Sequence, residues 1–79
     1  MEIQRQLQDA ANEFYMNSGG HHPTFCQCNP VTFSRIQPAV NWNGIVSGTE
    51  MKVSVFPSIE DDMVIIGTDG VYPLTKKLD

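Results

Sequence analysis

The first part of the chain repeats apolar residues with the period of an α-helix. They recur three or four positions apart, at Ile3, Leu7, Ala10, Ala11 and Phe14. Residues with this spacing lie on one side of a helix, which can then pack against a core. Ser18, Gly19 and Gly20 follow, and a glycine there can adopt the left-handed conformation that closes a helix. The pattern therefore predicts an amphipathic helix over residues 2–17.

A short strand and a second helix are predicted next. The segment TFCQC, residues 24–28, alternates its side chains as a strand does. Asn29 is a residue type that caps helices, and Pro30 suits a first helical position, whereas Pro38 cannot continue a helix. We therefore expect a short helix over residues 30–37.

The middle of the chain has no clear period, but two strands are predicted after it. Residues 39–50 contain the turn signals Asn43-Gly44 and Ser47-Gly48, and the first is compatible with a small hairpin. The segment MKVSVF, residues 51–56, alternates apolar and polar residues and predicts a half-buried strand. The segment MVIIG, residues 63–67, is apolar throughout, which is typical of a central strand.

The C-terminal part is predicted to be a hairpin strand and a tail. Asp69-Gly70 favours a type I′ turn with both residues at positive φ. Residues 71–74 would then return as a short edge strand, because Pro73 has no N–H to donate to a second neighbour. Residues 75–79 are predicted to be a frayed tail.

These elements together predict an α+β protein. We expect the N-terminal amphipathic helix and the short second helix to pack on a small, mostly antiparallel sheet of three to four strands. We expect the whole chain, residues 1–79, to form a single small domain. A core of this size gives marginal stability, so we expect a homo-oligomer or a hetero-complex.

Charge narrows the range of partners and compartments. Nine acidic residues and five basic ones give a net charge of −4, with no basic stripe that could neutralise phosphates. This argues against nucleic-acid binding. The polar start of the chain does not resemble a signal peptide, and the longest apolar run, Met63–Ile66, is too short to span a bilayer. We therefore expect a cytoplasmic protein without a membrane partner.

Two histidines and both cysteines lie close together in the sequence, at His21, His22, Cys26 and Cys28. Zinc binds four ligands of these types, so a small zinc-binding module is one alternative. A reducing compartment favours free thiols or metal ligands over a disulfide. The spacing argues against zinc, however, because the two halves of the cluster adjoin and adjacent histidines do not readily converge on one ion. We predict no metal and no cofactor, with both cysteines on the inner face of a strand towards Leu7 or Phe14.

Three groups of residues are candidates for contact with a partner. Trp42 either covers the small core, which the sequence favours, or forms an exposed anchor at an interface. Tyr15 and Tyr72 could extend such a surface. The acidic turn Glu60, Asp61 and Asp62 could face a basic partner, although a solvated loop is the favoured interpretation.

The sequence shows none of the patterns that mark common active sites. It has no carboxylates paired in helical register, no serine–histidine–aspartate pattern and no phosphate-binding glycine loop. We therefore predict that the chain is not an enzyme.

Several short motifs resemble the axial region of the major capsid proteins of tailed phages. In that region a strand ending in Asn-Pro leads to a short helix and then to a pair of strands. The matching positions here are Asn29, Pro30, Phe33, Ile36, Val53, Val55, Pro57, Ile65 and Gly67. The chain lacks the long arm and the spine helix of a capsid subunit, so the resemblance implies a small phage-encoded protein that reuses this module.

The resemblance and the composition together suggest a non-enzymatic protein-interaction protein. We expect it to bind a host protein as an inhibitor, in the host cytoplasm. The alternative is a structural or assembly component of a virion, in which an exposed strand edge pairs with a neighbouring subunit.

Overall fold

The computed structural model describes residues 2–79. Its two α-helices and four strands are α1 (Glu2–Asn17), β1 (Phe25–Cys28), α2 (Pro30–Ile36), β2 (Lys52–Val55), β3 (Met63–Gly67) and β4 (Leu74–Lys77). One turn of 3-10 helix, Gln37–Ala39, continues α2. The predicted α+β class, with a long first helix and a short second one on a small sheet, is confirmed.

The four strands form one mixed sheet in the order β2-β1-β3-β4. The pairs β1–β3 and β3–β4 are antiparallel, and the pair β1–β2 is parallel. A parallel pair needs a long crossover connection, which α2 and the segment after it supply. The apolar strand β3 is interior, as its sequence predicts.

One face of the sheet carries the core. Cys26 and Cys28 of β1 lie beside Val64 and Ile66 of β3, and all four are fully buried. Leu7 and Phe14 of α1, on the apolar side of that helix, belong to the same buried cluster. The prediction that the cysteine side chains fill the core on the helix side of β1 is therefore confirmed.

The patternless middle of the chain forms a small hairpin along the outer edge of β2. Val40 and Val46 pair across it, and the Gly44 N–H donates to the Asn41 carbonyl at 2.9 Å to close the turn. Gly44 has φ of 80°, the left-handed conformation of a glycine bulge after a type I turn. Its carbonyl accepts a hydrogen bond from the Val53 N–H at 2.8 Å, so the hairpin covers the first half of the β2 edge.

The C-terminal prediction was wrong both in the bounds of the last strand and in its frayed tail. The last strand starts after Pro73, at Leu74, and runs to Lys77 instead of ending at residue 74. The tail at 75–79 is held down, because Leu78 is buried and its N–H donates to the Asp62 carbonyl at 2.7 Å. Lys76 also contacts Glu13 of α1 at 3.0 Å. Proline precedes the strand because it cannot donate to the ladder, and the apolar Leu78 draws the end of the chain onto the core.

The turn between β3 and β4 is also of a different type from the one predicted. The Val71 N–H donates to the Thr68 carbonyl at 3.3 Å, so Asp69 and Gly70 are the two central residues. Gly70 has φ of 79°, whereas Asp69 does not have positive φ. This is the pattern of a type II turn, which requires glycine only at its second central position. The loop of six residues between the strands removes the need for the type I′ twist of a two-residue hairpin.

Neither α-helix in residues 2–79 has the length and apolar character needed to cross a lipid bilayer.

Candidate interaction surfaces

The structure separates the four residues of the histidine and cysteine cluster. Cys26 and Cys28 are buried in the core, while His21 and His22 are exposed to solvent. The His22 ring lies against Tyr15, with 4.7 Å between the ring centroids. Within residues 2–79, no three histidine, cysteine, aspartate or glutamate side chains are placed to hold a metal ion.

Burial determines the chemistry of the two thiols. It raises the pKa of Cys26 to about 12, and the neighbouring Cys28 thiol adds to this shift. Burial also raises the pKa of Cys28. The thiolate is the form that attacks substrates and binds metals. Both side chains are therefore protonated near neutral pH and act as apolar filling.

The acidic turn is largely exposed, as the solvated-loop interpretation expects: Glu60 and Asp61 are exposed, and Asp62 is half-buried. The Asp61 carboxylate accepts a hydrogen bond from Asn29 Nδ2 at 2.6 Å. The Asp62 carboxylate contacts Arg35 Nη1 at 2.9 Å. Asp61 and Asp62 thus contact groups on or beside α2, and the exposed Glu60 and Asp61 present negative charge to a partner.

Trp42 does not cover the core, contrary to the favoured interpretation. Its side chain is 98% exposed. It occupies the first central position of the hairpin turn that Gly44 closes. The neighbouring apolar residue Val46 fills the core in its place. Hairpin geometry, rather than hydrophobicity, therefore decides where the tryptophan lies.

The two tyrosines lie in different surroundings. Tyr72 precedes Pro73 in the loop between β3 and β4 and is 92% exposed. Tyr15 is half-buried on α1 and lines a cleft between that helix and the loop around Gly48. The structure does not bring Tyr15 and Tyr72 together into the single surface that the sequence suggested.

The cleft beside Tyr15 was not predicted from the sequence. It has a volume of about 660 Å³, and its polar lining includes Gln8, Asn12, His22 and Glu50. Gln8 Nε2 donates to the Ser47 carbonyl at 3.0 Å and holds the loop against α1. The volume lies in the range of small-ligand sites, but such sites are mainly apolar. Its walls come from distant parts of the chain, so no local pattern reveals it.

The sheet face opposite α1, which we call the open face, carries an apolar track. Strand register places Phe25 of β1 and Met63 and Ile65 of β3 on this face, and all three are half-buried. Phe25 lies over Gly67, where an added Cβ atom would be only 2.8 Å from the Phe25 Cζ atom. Pro73 packs beside the same glycine. The uninterrupted apolar run of β3 was the signal for this track.

Two lysines flank the apolar track on the open face. Lys52 pairs in register with Phe25, and Lys77 pairs with Met63. Residues 2–79 contain two ion pairs, Arg35–Asp62 and Lys76–Glu13, and neither involves a lysine of the open face. The open face is therefore a local cationic surface on an acidic chain.

Trp42 and Tyr72 lie near the two ends of one row across the sheet. The row runs through Lys52, Phe25 and Gly67, which are neighbours in register. The Trp42 hairpin adjoins it through the bridge between Ile45 and Lys52, and the residue after Tyr72 packs against Gly67. Both exposed aromatic residues thus lie in loops that adjoin this row.

No known protein family, curated protein or solved structure matches this chain, so the resemblance to phage capsid proteins rests on its short motifs alone.

Proposed function

We propose that this chain is a non-enzymatic protein-interaction protein that acts by covering a surface of its partner, as an inhibitor does. The observation that carries the proposal is the exposure of Trp42 and Tyr72, at 98% and 92%. Large aromatic side chains contribute most when an interface buries them, and tryptophan and tyrosine are enriched among the residues that dominate binding energy. Two such side chains standing in water are well suited to anchor a partner.

The chemistry of the buried groups supports binding rather than catalysis. The candidate nucleophiles, Cys26 and Cys28, are buried and protonated, so they are poorly placed to attack a substrate. The two buried polar residues among residues 2–79, Asn29 and Thr32, hold α2 to the turn that contains Asp61 and Asp62. Their hydrogen-bonding capacity is used for structure.

Affinity capture from a lysate of the source cells tests the proposal. Wild-type chain is compared with the double variant Trp42→Ser/Tyr72→Ser, and Met16→Ser serves as a matched control. Met16 is an exposed apolar residue on α1, remote in sequence from both aromatic residues. Circular dichroism checks that all three chains fold alike, which we expect because the altered side chains are exposed.

We expect one protein that wild type and the Met16→Ser control capture in equal yield, and that the double variant loses by at least about tenfold. Equal capture by all three chains would contradict the role of the aromatic pair. If no protein is captured specifically by the wild-type chain, the proposed function itself is contradicted.

A second candidate function is the assembly component that the phage resemblance implies. The observation in its favour is at the far end of β2, where the hairpin contacts stop at Val53. Val55 and Phe56 follow on this uncovered edge and are partly exposed. Self-association that Val55→Lys abolishes, measured by sedimentation equilibrium, would favour assembly through this edge. A monomer at all concentrations would favour the inhibitor.

A further inference from the structure

We infer that the open face docks an amphipathic segment of a partner protein whose apolar residues are flanked by carboxylates. The inference rests on the proposed function and names the partner's chemistry and the surface that receives it. It depends on three properties of the face, which are its apolar track, its two lysines and the position of those lysines.

The apolar track is unusual for a solvated face. An antiparallel sheet with one open face normally alternates apolar residues inward and polar residues outward. Here β3 places Met63 and Ile65 outward, beside Phe25 of β1. The helix α1 packs on the opposite face, whereas on this face the β3–β4 loop contributes Pro73 beside Gly67. Phe25, Met63 and Ile65 are half-buried, so part of each side chain is exposed and can be covered by a partner.

The lysines lie at opposite corners of the face. Lys52 is on one edge strand, in the row of Phe25, and Lys77 is on the other edge strand, in the row of Met63. Three strand spacings separate them across the sheet, and four residues of β3 separate their rows. The diagonal between them is therefore about 20 Å. Phe25, Ile65 and Met63 lie along this diagonal. A helix of about 13 residues has the same length.

The unpaired lysines indicate that the partner carries negative charge. Arg35 and Lys76 are in ion pairs with groups of this chain, whereas Lys52 and Lys77 are not. Asp62, which directly precedes β3, is itself paired with Arg35. Carboxylates on a partner would meet an unpaired cation at each end of the apolar track. Complementary potentials of this kind favour the matching partner and suppress others.

The same charges disfavour a second copy of this chain as the occupant. A twofold dimer through the open face would bring the same patch of both copies together. With the axis along or across the Lys52–Lys77 diagonal, lysines of one copy would lie against lysines of its partner, and no axis would bring a carboxylate of these strands to them, since strand register places none on this face. Like charges brought together in this way are destabilising, so a different, acidic chain is the better occupant.

Selection from a random peptide library tests the inference. Peptides of about 16 residues, long enough to cover the diagonal as a helix, are displayed on ribosomes and selected against the immobilised full chain. We expect the enriched peptides to be acidic and to repeat apolar residues at helical spacing. One enriched peptide is then synthesised and its affinity is measured by calorimetry.

Three variants locate the site of binding. Lys52→Glu/Lys77→Glu should weaken binding of the peptide by at least about tenfold, and Ile65→Thr should weaken its binding as well. Arg5→Glu is the matched control, since it reverses an exposed cation on α1 that is in no ion pair, and it should leave the affinity within about twofold. Circular dichroism checks the fold of each variant. Added salt should weaken binding to wild type because ion pairs are screened.

The outcomes separate this inference from the proposed function. Acidic peptides that bind wild type and the lysine variant equally would overturn the docking site but leave the proposed function standing. Enriched peptides without acidic bias, or no enrichment, would overturn the inference. A dimer that Lys52→Glu/Lys77→Glu alters would identify a second copy as the occupant and would also overturn it.

Discussion

Asn29 joins α2 to the acidic turn, and its replacement by alanine should be strongly destabilising. The side chain is buried, and its Oδ1 atom accepts a hydrogen bond from the Thr32 N–H at 2.7 Å, which caps the helix. Its Nδ2 atom donates to the Ile59 carbonyl at 2.9 Å and to the Asp61 carboxylate at 2.6 Å. Alanine removes all three hydrogen bonds at once.

The size of the effect follows from these contacts. Loss of a helix cap costs about 1 kcal/mol, and loss of a hydrogen bond to a charged group costs about 1.5–3 kcal/mol. We therefore expect Asn29→Ala to lower the free energy of unfolding by about 2–4 kcal/mol. A domain of this length has a total of only about 4–12 kcal/mol, so the loss should be a large fraction of its stability.

A charge swap separates the two roles of the side chain. Asn29→Asp keeps the capping acceptor but loses the donor and places a second carboxylate against Asp61. It should therefore destabilise although the cap survives. The double variant Asn29→Asp/Asp61→Asn restores a donor to the pair, so it should recover about 1–2 kcal/mol relative to Asn29→Asp alone.

Urea denaturation followed by far-ultraviolet circular dichroism measures these differences. Fluorescence is a poor reporter here, because Trp42 is already exposed in the folded chain. A change below about 0.5 kcal/mol for Asn29→Ala, the level of an ordinary surface substitution, would refute the reasoning. So would a double variant no more stable than Asn29→Asp.

Four further predictions concern the buried thiols, the open face and the last turn. Cys26 and Cys28 should react with a thiol reagent only after unfolding, and prompt reaction of the native chain would show that they are accessible. Because the pKa of Cys26 rises from 9.0 to about 12 in the folded state, its contribution to stability is fully present below pH 9 and is lost above it. Between these values the free energy of unfolding should fall by about 1.4 kcal/mol per pH unit, and less steeply in Cys26→Ala. Gly67→Ala should lower the free energy of unfolding by about 1–3 kcal/mol, because the added Cβ atom collides with the Phe25 ring. The double variant Gly67→Ala/Phe25→Ala should lose less than the sum of the two single losses, and strict additivity would argue against the contact. Gly70→Val should lower the melting temperature by about 4 °C or more, because a β-branched residue resists positive φ, and an unchanged melting temperature would contradict the type II turn.

Most of the fold could be predicted from local patterns, because each pattern reports which side of an element is apolar. The period of α1, the Asn29-Pro30 start of α2 and the apolar run of β3 all identified their elements correctly. The last strand could not be placed in this way. Leu78 belongs to no apolar period of a helix or strand in the sequence. Its burial depends on contacts with the core that the local pattern does not report.

The candidate surfaces were harder to predict than the fold. Exposure of Trp42 depends on its position in a turn, and an apolar side chain gives no local sign of that. The open face depends on pairing between β1 and β2, two strands separated by α2 and a hairpin. The sequence contained Lys52 and Lys77 as ordinary basic residues, and only strand register places both on one face.

The claim that the chain works by binding a partner across the open face is tested most directly by NMR. The isotope-labelled chain is titrated with an enriched acidic peptide, and the shifts of its backbone amides and of the Trp42 indole are followed. We predict shifts at Trp42, at Phe25 and Lys52, and along β3 and β4, with the exposed side of α1 unchanged. Shifts confined to α1 and the Tyr15 cleft would contradict the claim.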